Sequence, residues 1–182
     1  MSTNFHEECV SHVIKIAEAL DYIADGSVDK DDIEEQIEDI TTEWQDALYD
    51  ILEDADEDID AYSLEGTDLL KEMTKKGIAP NESDIDNYND LREQFQELKS
   101  IGASNLYEYF DDYLDVEYTI DSSGEYLGAC IWIELGGPNV WVDTRHRVVN
   151  LAWGLERAEW GIRSKTADKI DAIFEEHFND IR

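Results

Sequence analysis

Basic side chains are scarce in this sequence: 14 lysines and arginines stand against 46 aspartates and glutamates, giving a formal charge of −32. Recognition of phosphates needs clustered lysine and arginine, so direct nucleic-acid binding is disfavoured, as is binding to an anionic membrane surface. The charge is uneven, because residues 1–113 hold 33 acids against 7 bases and residues 114–182 hold 13 against 7. This asymmetry indicates a function for the acidic part.

Long apolar runs and a secretory leader are also lacking. No stretch of about 20 apolar residues occurs. The first eight residues have neither a basic start nor an apolar centre. The two cysteines, Cys9 and Cys130, lie far apart in different kinds of segment. We therefore expect a soluble, cytoplasmic protein with free thiols.

Helical periodicity dominates the acidic part, and the 42% of hydrophobic residues can supply a core. Asn4 is expected to cap a first helix. Asp29 is expected to open a long second helix, whose apolar stripe includes Ile33, Trp44 and Leu48. The other stripe positions are Ile37, Ile40, Ala47, Ile51 and Ala55. Shorter helices are expected to begin at residue 67 and to cover about 87–100 and 104–113.

After residue 113 the period changes to two, which is typical of strands. Alternating apolar positions and turn residues predict four or five strands over 116–162, joined as an antiparallel meander. Ser164 or Thr166 is expected to cap a last helix, which covers one face of this sheet. The predicted class is α+β, with an acidic helical region, 1–113, before a sheet and helix region, 114–182.

The second helix has an unusual density of carboxylates. Residues 29–60 hold sixteen acids and one base, Lys30, or roughly one carboxylate per 3 Å of helix axis. Duplex DNA carries about one phosphate per 1.7 Å. The helix is thus predicted to imitate nucleic acid on a basic partner surface. The candidate contact residues on it are Asp32, Glu35, Glu38, Asp39, Asp46, Asp50, Glu53, Asp54, Asp56, Glu57 and Asp58.

Like charges four residues apart, as in Glu34/Glu38 and Asp46/Asp50, oppose helix formation. A basic partner would relieve this repulsion on docking, with affinity falling as salt rises. The ordinary alternative is a solvated helix face.

Trp141 alternates with the apolar residues Val140 and Val142 along a predicted strand, so it is expected on the other side of the sheet. An exposed tryptophan there is a further candidate contact residue.

Other patterns in the sequence match known functional sites only in part. Asp54, Asp56, Asp58, Asp60 and Glu65 have the spacing of a calcium loop, although Ile59 replaces the usual glycine. His6, Cys9 and His12 share one side of a helix but lack a fourth zinc ligand. No phosphate-binding loop or nucleophile elbow occurs. We expect no enzymatic activity, cofactor or resident metal.

Three segments carry a resemblance to a known family: Leu135 to Thr144, Val149 to Gly154, and Glu156 to Trp160. Together they look like a small domain found in proteins of phages and mobile elements from gut Firmicutes. With its acidic helical front, the whole chain resembles the phage anti-CRISPR inhibitors of type II-A Cas9. The resemblance implies a non-enzymatic protein acting in the bacterial host cytoplasm, which binds guide-loaded Cas9 and blocks engagement or cleavage of target DNA.

Cas9 holds nucleic acid in positively charged channels and reads the PAM with arginines, so an acidic helix has a physical reason to bind there. Two alternatives stay open. One is an antirestriction-type DNA mimic directed at another DNA-binding enzyme. The other is an acidic calcium-binding regulatory protein.

Overall fold

The structure is a computed structural model that describes residues 3–26, 30–55 and 59–182. Helices and a five-stranded antiparallel sheet make up this part of the chain, and the predicted α+β class is confirmed. Its helices are α1 (Thr3–Asp25), α2 (Lys30–Ala55), α3 (Gly66–Lys75), α4 (Glu82–Ile101), α5 (Leu106–Tyr109) and α6 (Ser164–Asp180), with a short 3₁₀ turn at Ala61–Ser63. Its strands are β1 (Asp115–Ile120), β2 (Tyr126–Glu134), β3 (Asn139–Asp143), β4 (Val148–Trp153) and β5 (Glu156–Gly161).

The chain divides into two compact units, and their bounds differ from the expected boundary at residue 113. The sheet unit comprises Met1–Ser27 and Ile101–Arg182, and the helical unit comprises Val28–Ser100. Helix α1 belongs to the sheet unit because it packs against β4, β5 and α6. The helical unit is the more acidic of the two, with 25 acids against 6 bases, but the sheet unit is also acidic, with 21 against 8.

The helical unit is built around the apolar stripe of α2. Trp44, Leu48 and Leu52 are buried on this stripe and belong to one core. The remaining buried members of this core come from the 3₁₀ turn, α3 and α4: Ala61, Leu69, Met73 and Tyr88. The stripe differs from the expected one near its end, where Leu52 is buried while Ala47 and Ile51 are exposed.

The sheet is the predicted meander, with strand order β1-β2-β3-β4-β5. Its residues alternate between a buried inner face and a partly exposed outer face. On β3, Val140 and Val142 are fully buried, whereas Asn139, Trp141 and Asp143 are not. In the β2–β3 turn, the Gly136 backbone N–H donates to Asn139 Oδ1 at 2.9 Å.

Helices α1 and α6 both pack against the inner face of the sheet. Phe5 of α1 meets Trp153 of β4 edge-on, with ring centroids 5.0 Å apart. Tyr118 of β1 contacts Phe178 of α6 at 5.1 Å between centroids. Tyr126 Oη on β2 donates to Asp171 Oδ1 of α6 at 2.7 Å. The last helix thus covers one face of the sheet, as predicted.

The helix starts differ from the predicted ones in several places. Asn4 lies within α1 rather than before it, and Asp29, the expected start of α2, lies outside the described residues. Helix α4 begins at Glu82, because Asn81 Oδ1 accepts from the Ser83 backbone N–H at 3.3 Å. Helix α6 begins at Ser164 without a side-chain cap, and the Thr166 side chain is buried instead.

Helix α5 is much shorter than the predicted helix over 104–113. Its first turn is capped by Asn105 Oδ1, which accepts from the Glu108 backbone N–H at 3.0 Å. Phe110 then packs edge-on against Phe174 of α6, with centroids 5.5 Å apart, and Tyr113 does the same at 5.4 Å. These contacts direct the chain into β1.

No helix in the described part of the chain is long and apolar enough to cross a membrane.

Candidate docking surface on helix α2

Helix α2 turns its carboxylates to solvent because the core of the helical unit takes up its apolar stripe. Seven of the predicted contact residues are exposed along it: Asp32, Glu35, Glu38, Asp39, Asp46, Asp50 and Glu53. We call these seven residues the acidic face. Asp54 lies in the last turn of the helix, and the placement of its side chain is not described. The predicted contacts Asp56, Glu57 and Asp58 lie outside the described residues.

The acidic face has no cationic partners in the described part of the chain. None of its seven carboxylates forms an ion pair there with a lysine or arginine. The one base of α2, Lys30, lies over the Phe95 ring at 5.8 Å from its centroid. Helix α3 shows the usual arrangement, since Lys71 and Lys75 each pair at 3.0 Å with an acid three residues earlier.

The spacing of charge along α2 agrees with the expected density. The 26 residues of the helix include eleven aspartates and glutamates. At about 1.5 Å of rise per residue, this is about one carboxylate per 3.5 Å. The helix therefore carries roughly half the linear charge density of duplex DNA.

Two tyrosines beside the acidic face were not predicted as contact residues. Tyr49 and Tyr62 lie with ring centroids 5.6 Å apart and are 41% and 51% exposed. Tyr62 Oη donates to Asp46 Oδ1 at 2.7 Å, and this hydrogen bond is the main reason that the pKa of Tyr62 is raised. Gln45 Nε2 donates to the Leu64 carbonyl oxygen at 2.9 Å, which holds the segment with Tyr62 beside α2. Exposed tyrosines are frequent anchors at interfaces.

The remaining predicted contact residue, Trp141, belongs to the sheet unit. It lies on the outer face of the sheet, opposite in direction to Val140 and Val142, as the alternation predicted. Its ring packs on that of Trp132, with centroids 4.8 Å apart. Trp141 therefore belongs to a surface of the sheet unit and not to the acidic face.

No family model, curated protein or solved structure matches this chain. The function of the acidic face is therefore inferred from its own chemistry. Its carboxylates are exposed and closely spaced, and they form no ion pair with a lysine or arginine among the residues that the structure describes. Those properties suit a surface that acquires its counter-charges from another molecule.

The residues of the suggested calcium loop have other roles where they are described. Asp60 Oδ1 caps the 3₁₀ turn by accepting from the Tyr62 backbone N–H at 3.1 Å. Glu65 precedes the first residue of α3. Asp56 and Asp58, which would supply two ligands, lie outside the described residues. Among the residues that are described, no group of three or more histidine, cysteine or acidic side chains could hold a metal ion.

The histidines of α1 serve to attach this helix to the sheet. His6 Nδ1 lies 3.1 Å from Glu156 Oε2, and His12 Nε2 lies 2.9 Å from Glu134 Oε1. Both are hydrogen-bond distances between side chains more than 120 residues apart in the sequence. The spacing of His6 and His12 is thus explained by packing of α1.

Cys9 lies beside His12 and Glu134 at a cavity of about 250 Å³, an arrangement that invites comparison with thiol hydrolases. Burial, Glu156 and Glu8 raise the pKa of the Cys9 thiol. A nucleophilic cysteine needs the opposite shift, because the thiolate is the reactive form. The surroundings of Cys9 therefore favour a buried, protonated thiol.

Proposed function

We propose that this chain is a non-enzymatic inhibitor that binds the cationic nucleic-acid channel of a partner through the acidic face of α2. The observation that carries the proposal is the row of seven exposed carboxylates without lysine or arginine partners in the described part of the chain. Such a row opposes helix formation in the free protein. A channel lined with arginine and lysine would supply the missing counter-charges.

The dimensions of α2 support competition with a duplex. Its 26 residues extend over about 39 Å, which corresponds to roughly 11 base pairs of B-form DNA. An object of this length and charge would repel DNA and also exclude it sterically from the same channel. Inhibition then requires no chemical reaction, only occupancy.

The partner that we propose is Cas9 loaded with its guide RNA. The proposal rests on the resemblance carried by residues 135–160 and on the chemistry of the acidic face. The guide-loaded enzyme exposes a cationic path for target DNA and reads the PAM through arginines. Docking there would stop DNA engagement before any cleavage.

A cleavage assay tests the proposed partner. Guide-loaded type II-A Cas9 proteins are incubated with the chain at a stoichiometric concentration, and target DNA is added afterwards. We expect cleavage by at least one of them to be lost. Unchanged cleavage by a panel of such enzymes would refute the Cas9 proposal. Inhibition of a restriction enzyme alone, assayed in parallel, would assign the acidic face to an antirestriction-type mimic.

A matched pair of variants tests the surface. The first variant neutralises the acidic face with Glu35→Gln, Glu38→Gln, Asp46→Asn and Glu53→Gln. The second changes the net charge equally on α4, with Asp86→Asn, Asp90→Asn, Glu93→Gln and Glu97→Gln, all at exposed positions. We expect the first to weaken inhibition roughly a hundredfold and the second by only a few-fold. Equal losses would mean that net charge, rather than α2, is responsible.

A further inference from the structure

The outer face of the sheet is the side against which neither α1 nor α6 packs. These two helices contact each other and lie on the inner face, where Val149 and Leu151 are buried to 1% exposure or less. The outward residues of β3 and β4 are all partly exposed. An uncovered antiparallel face usually carries polar side chains. Here it carries two tryptophans at its centre.

Those tryptophans are cross-strand partners. The register pairs Trp132 of β2 directly with Trp141 of β3. Their ring centroids are 4.8 Å apart with the planes tilted by 33°, and both side chains keep part of their surface exposed. The same row continues to Asp115 on one side and through Asn150 to Glu159 on the other.

The next row of the outer face also contains carboxylates. It pairs Glu117 of β1 with Cys130 of β2, and Cys130 with Asp143 of β3. Burial and the nearby Asp143 and Glu117 carboxylates raise the pKa of the Cys130 thiol, and the strand register brings these three residues side by side. His146 Nδ1 lies 2.7 Å from Asp143 Oδ2, while Glu117 is exposed.

The carboxylates around the indoles are not neutralised by basic side chains of the described residues. Asp115, Glu117 and Glu159 are exposed and form no ion pair with lysine or arginine there. Arg157 also lies on this face, but its guanidinium donates to the carbonyl oxygens of Gly154 and Glu156 at 3.2 and 2.8 Å. The centre of the face is thus aromatic, and its margins carry three exposed carboxylates and the guanidinium of Arg157, which leaves a net negative charge.

We propose that this outer face binds an arginine-bearing basic segment of a partner protein, with a guanidinium group over the Trp132–Trp141 pair and the flanking carboxylates as its acceptors. Tryptophan is the best aromatic partner for a cation, and a planar guanidinium stacks on it while donating to carboxylates at its edge. The surface lies in the sheet unit and is independent of the acidic face of α2. It does not require that the partner be Cas9.

The test is a titration of the intact chain with two peptides of equal length, one with arginine alternating with glycine and the other with lysine in place of arginine. Binding is followed through the indole N–H signals in proton–nitrogen NMR spectra, with Trp132 and Trp141 assigned by single Trp→Phe variants. We expect these two signals to move, and the arginine peptide to bind about tenfold more tightly than the lysine peptide.

Two variants and one control distinguish this site from general attraction to an acidic protein. Trp141→Leu keeps an apolar side chain, and the double variant Glu117→Gln, Glu159→Gln keeps the aromatic pair. In each variant, the affinity for the arginine peptide, measured from the shift of the Trp132 indole signal, is expected to fall about tenfold. The control, Glu35→Gln with Glu38→Gln on α2, removes as many charges as the glutamine pair and is expected to leave that signal's titration nearly unchanged.

Three results would overturn the proposal. The first is equal affinity for the two peptides, and the second is the absence of any shift at Trp132 and Trp141. The third is a loss of binding in the α2 control that matches the loss in the double variant. These readouts involve no Cas9, so their failure is distinguishable from failure of the cleavage assay.

Discussion

At the scale of single residues, two buried threonines have opposite surroundings. Thr144 Oγ1 accepts from the Ala129 backbone N–H at 2.9 Å and donates to Asp171 Oδ1 at 2.5 Å, so it links β2 with α6. Thr166 is completely buried, yet its hydroxyl has no hydrogen-bond partner within the described structure. A buried hydroxyl is stabilising only when its hydrogen bonds are made.

Replacement by valine should therefore act in opposite directions at these two positions. Thr144→Val leaves the Ala129 N–H without its side-chain acceptor and removes a donor to Asp171, so we expect a loss of roughly 1–3 kcal/mol of unfolding free energy. Thr166→Val removes an unsatisfied polar atom and should be neutral or stabilising. Urea unfolding, followed by near-ultraviolet circular dichroism, measures both. Similar destabilisation by the two substitutions would contradict this account.

The Cys130 thiol provides a second test at this scale. The pKa of Cys130 is raised from its usual 9.0 to about 11. Burial is the largest cause of this shift, and the nearby Asp143 carboxylate is the next. The protonated thiol therefore favours the folded state at neutral pH, and this contribution is lost as the pH rises from about 9 towards about 11. Tyr109, whose pKa burial raises to about 12, adds to the loss at still higher pH.

We expect Cys130 to react slowly with thiol reagents in the folded protein. With Cys9→Ala, which leaves Cys130 as the single cysteine, the rate at pH 8 should be roughly a hundredfold below that of an unfolded sample, because the thiolate fraction falls by that factor. Labelling kinetics with a chromogenic disulfide in the presence and absence of urea measure this ratio. Equal rates in the two samples would refute the assigned surroundings of Cys130.

At the scale of elements, the sequence predicted what depends on local periodicity. Alternation and turn residues gave the strands and their order, because a short connection leaves neighbouring strands little choice but to pair. The partner of α1 was not predicted, because an apolar stripe defines which face is buried but not what buries it. The stripe of α2 was expected to include Ile51, whereas Leu52 is the buried residue, because two adjacent apolar side chains at the edge of a stripe give no local signal of which one faces the core.

Helix α2 should become more stable when its repulsion is relieved. Asp50 lies four residues from both Asp46 and Asp54, so Asp50→Lys replaces two repulsive spacings by attractive ones. We expect a gain of roughly 0.5–1 kcal/mol in the stability of the helical unit, together with weaker binding to a basic partner. Thermal unfolding at low salt and the cleavage assay provide the two readouts. A variant that is both less stable and equally inhibitory would contradict the proposed role of α2.

At the scale of the molecule, the sequence showed where the acidic residues are concentrated. It did not predict every residue that lies at the two candidate surfaces. The exposed carboxylates of α2 follow from a helical stripe and could be placed in advance. Tyr49 and Tyr62 could not, because their contact depends on how Gln45 holds the 3₁₀ turn against α2. The Trp132–Trp141 pair likewise depends on strand register, which a one-residue slip would have changed.

The most direct measurement is the dissociation constant of the chain from guide-loaded Cas9 as a function of sodium chloride concentration. The variant with four amides on α2 and the one with four amides on α4 are measured in parallel. Docking through the acidic face predicts a linear fall of log affinity with log salt, and a clearly shallower slope for the α2 variant only. An affinity that hardly changes between about 0.1 and 0.5 M salt, or equal slopes for all three proteins, would contradict it.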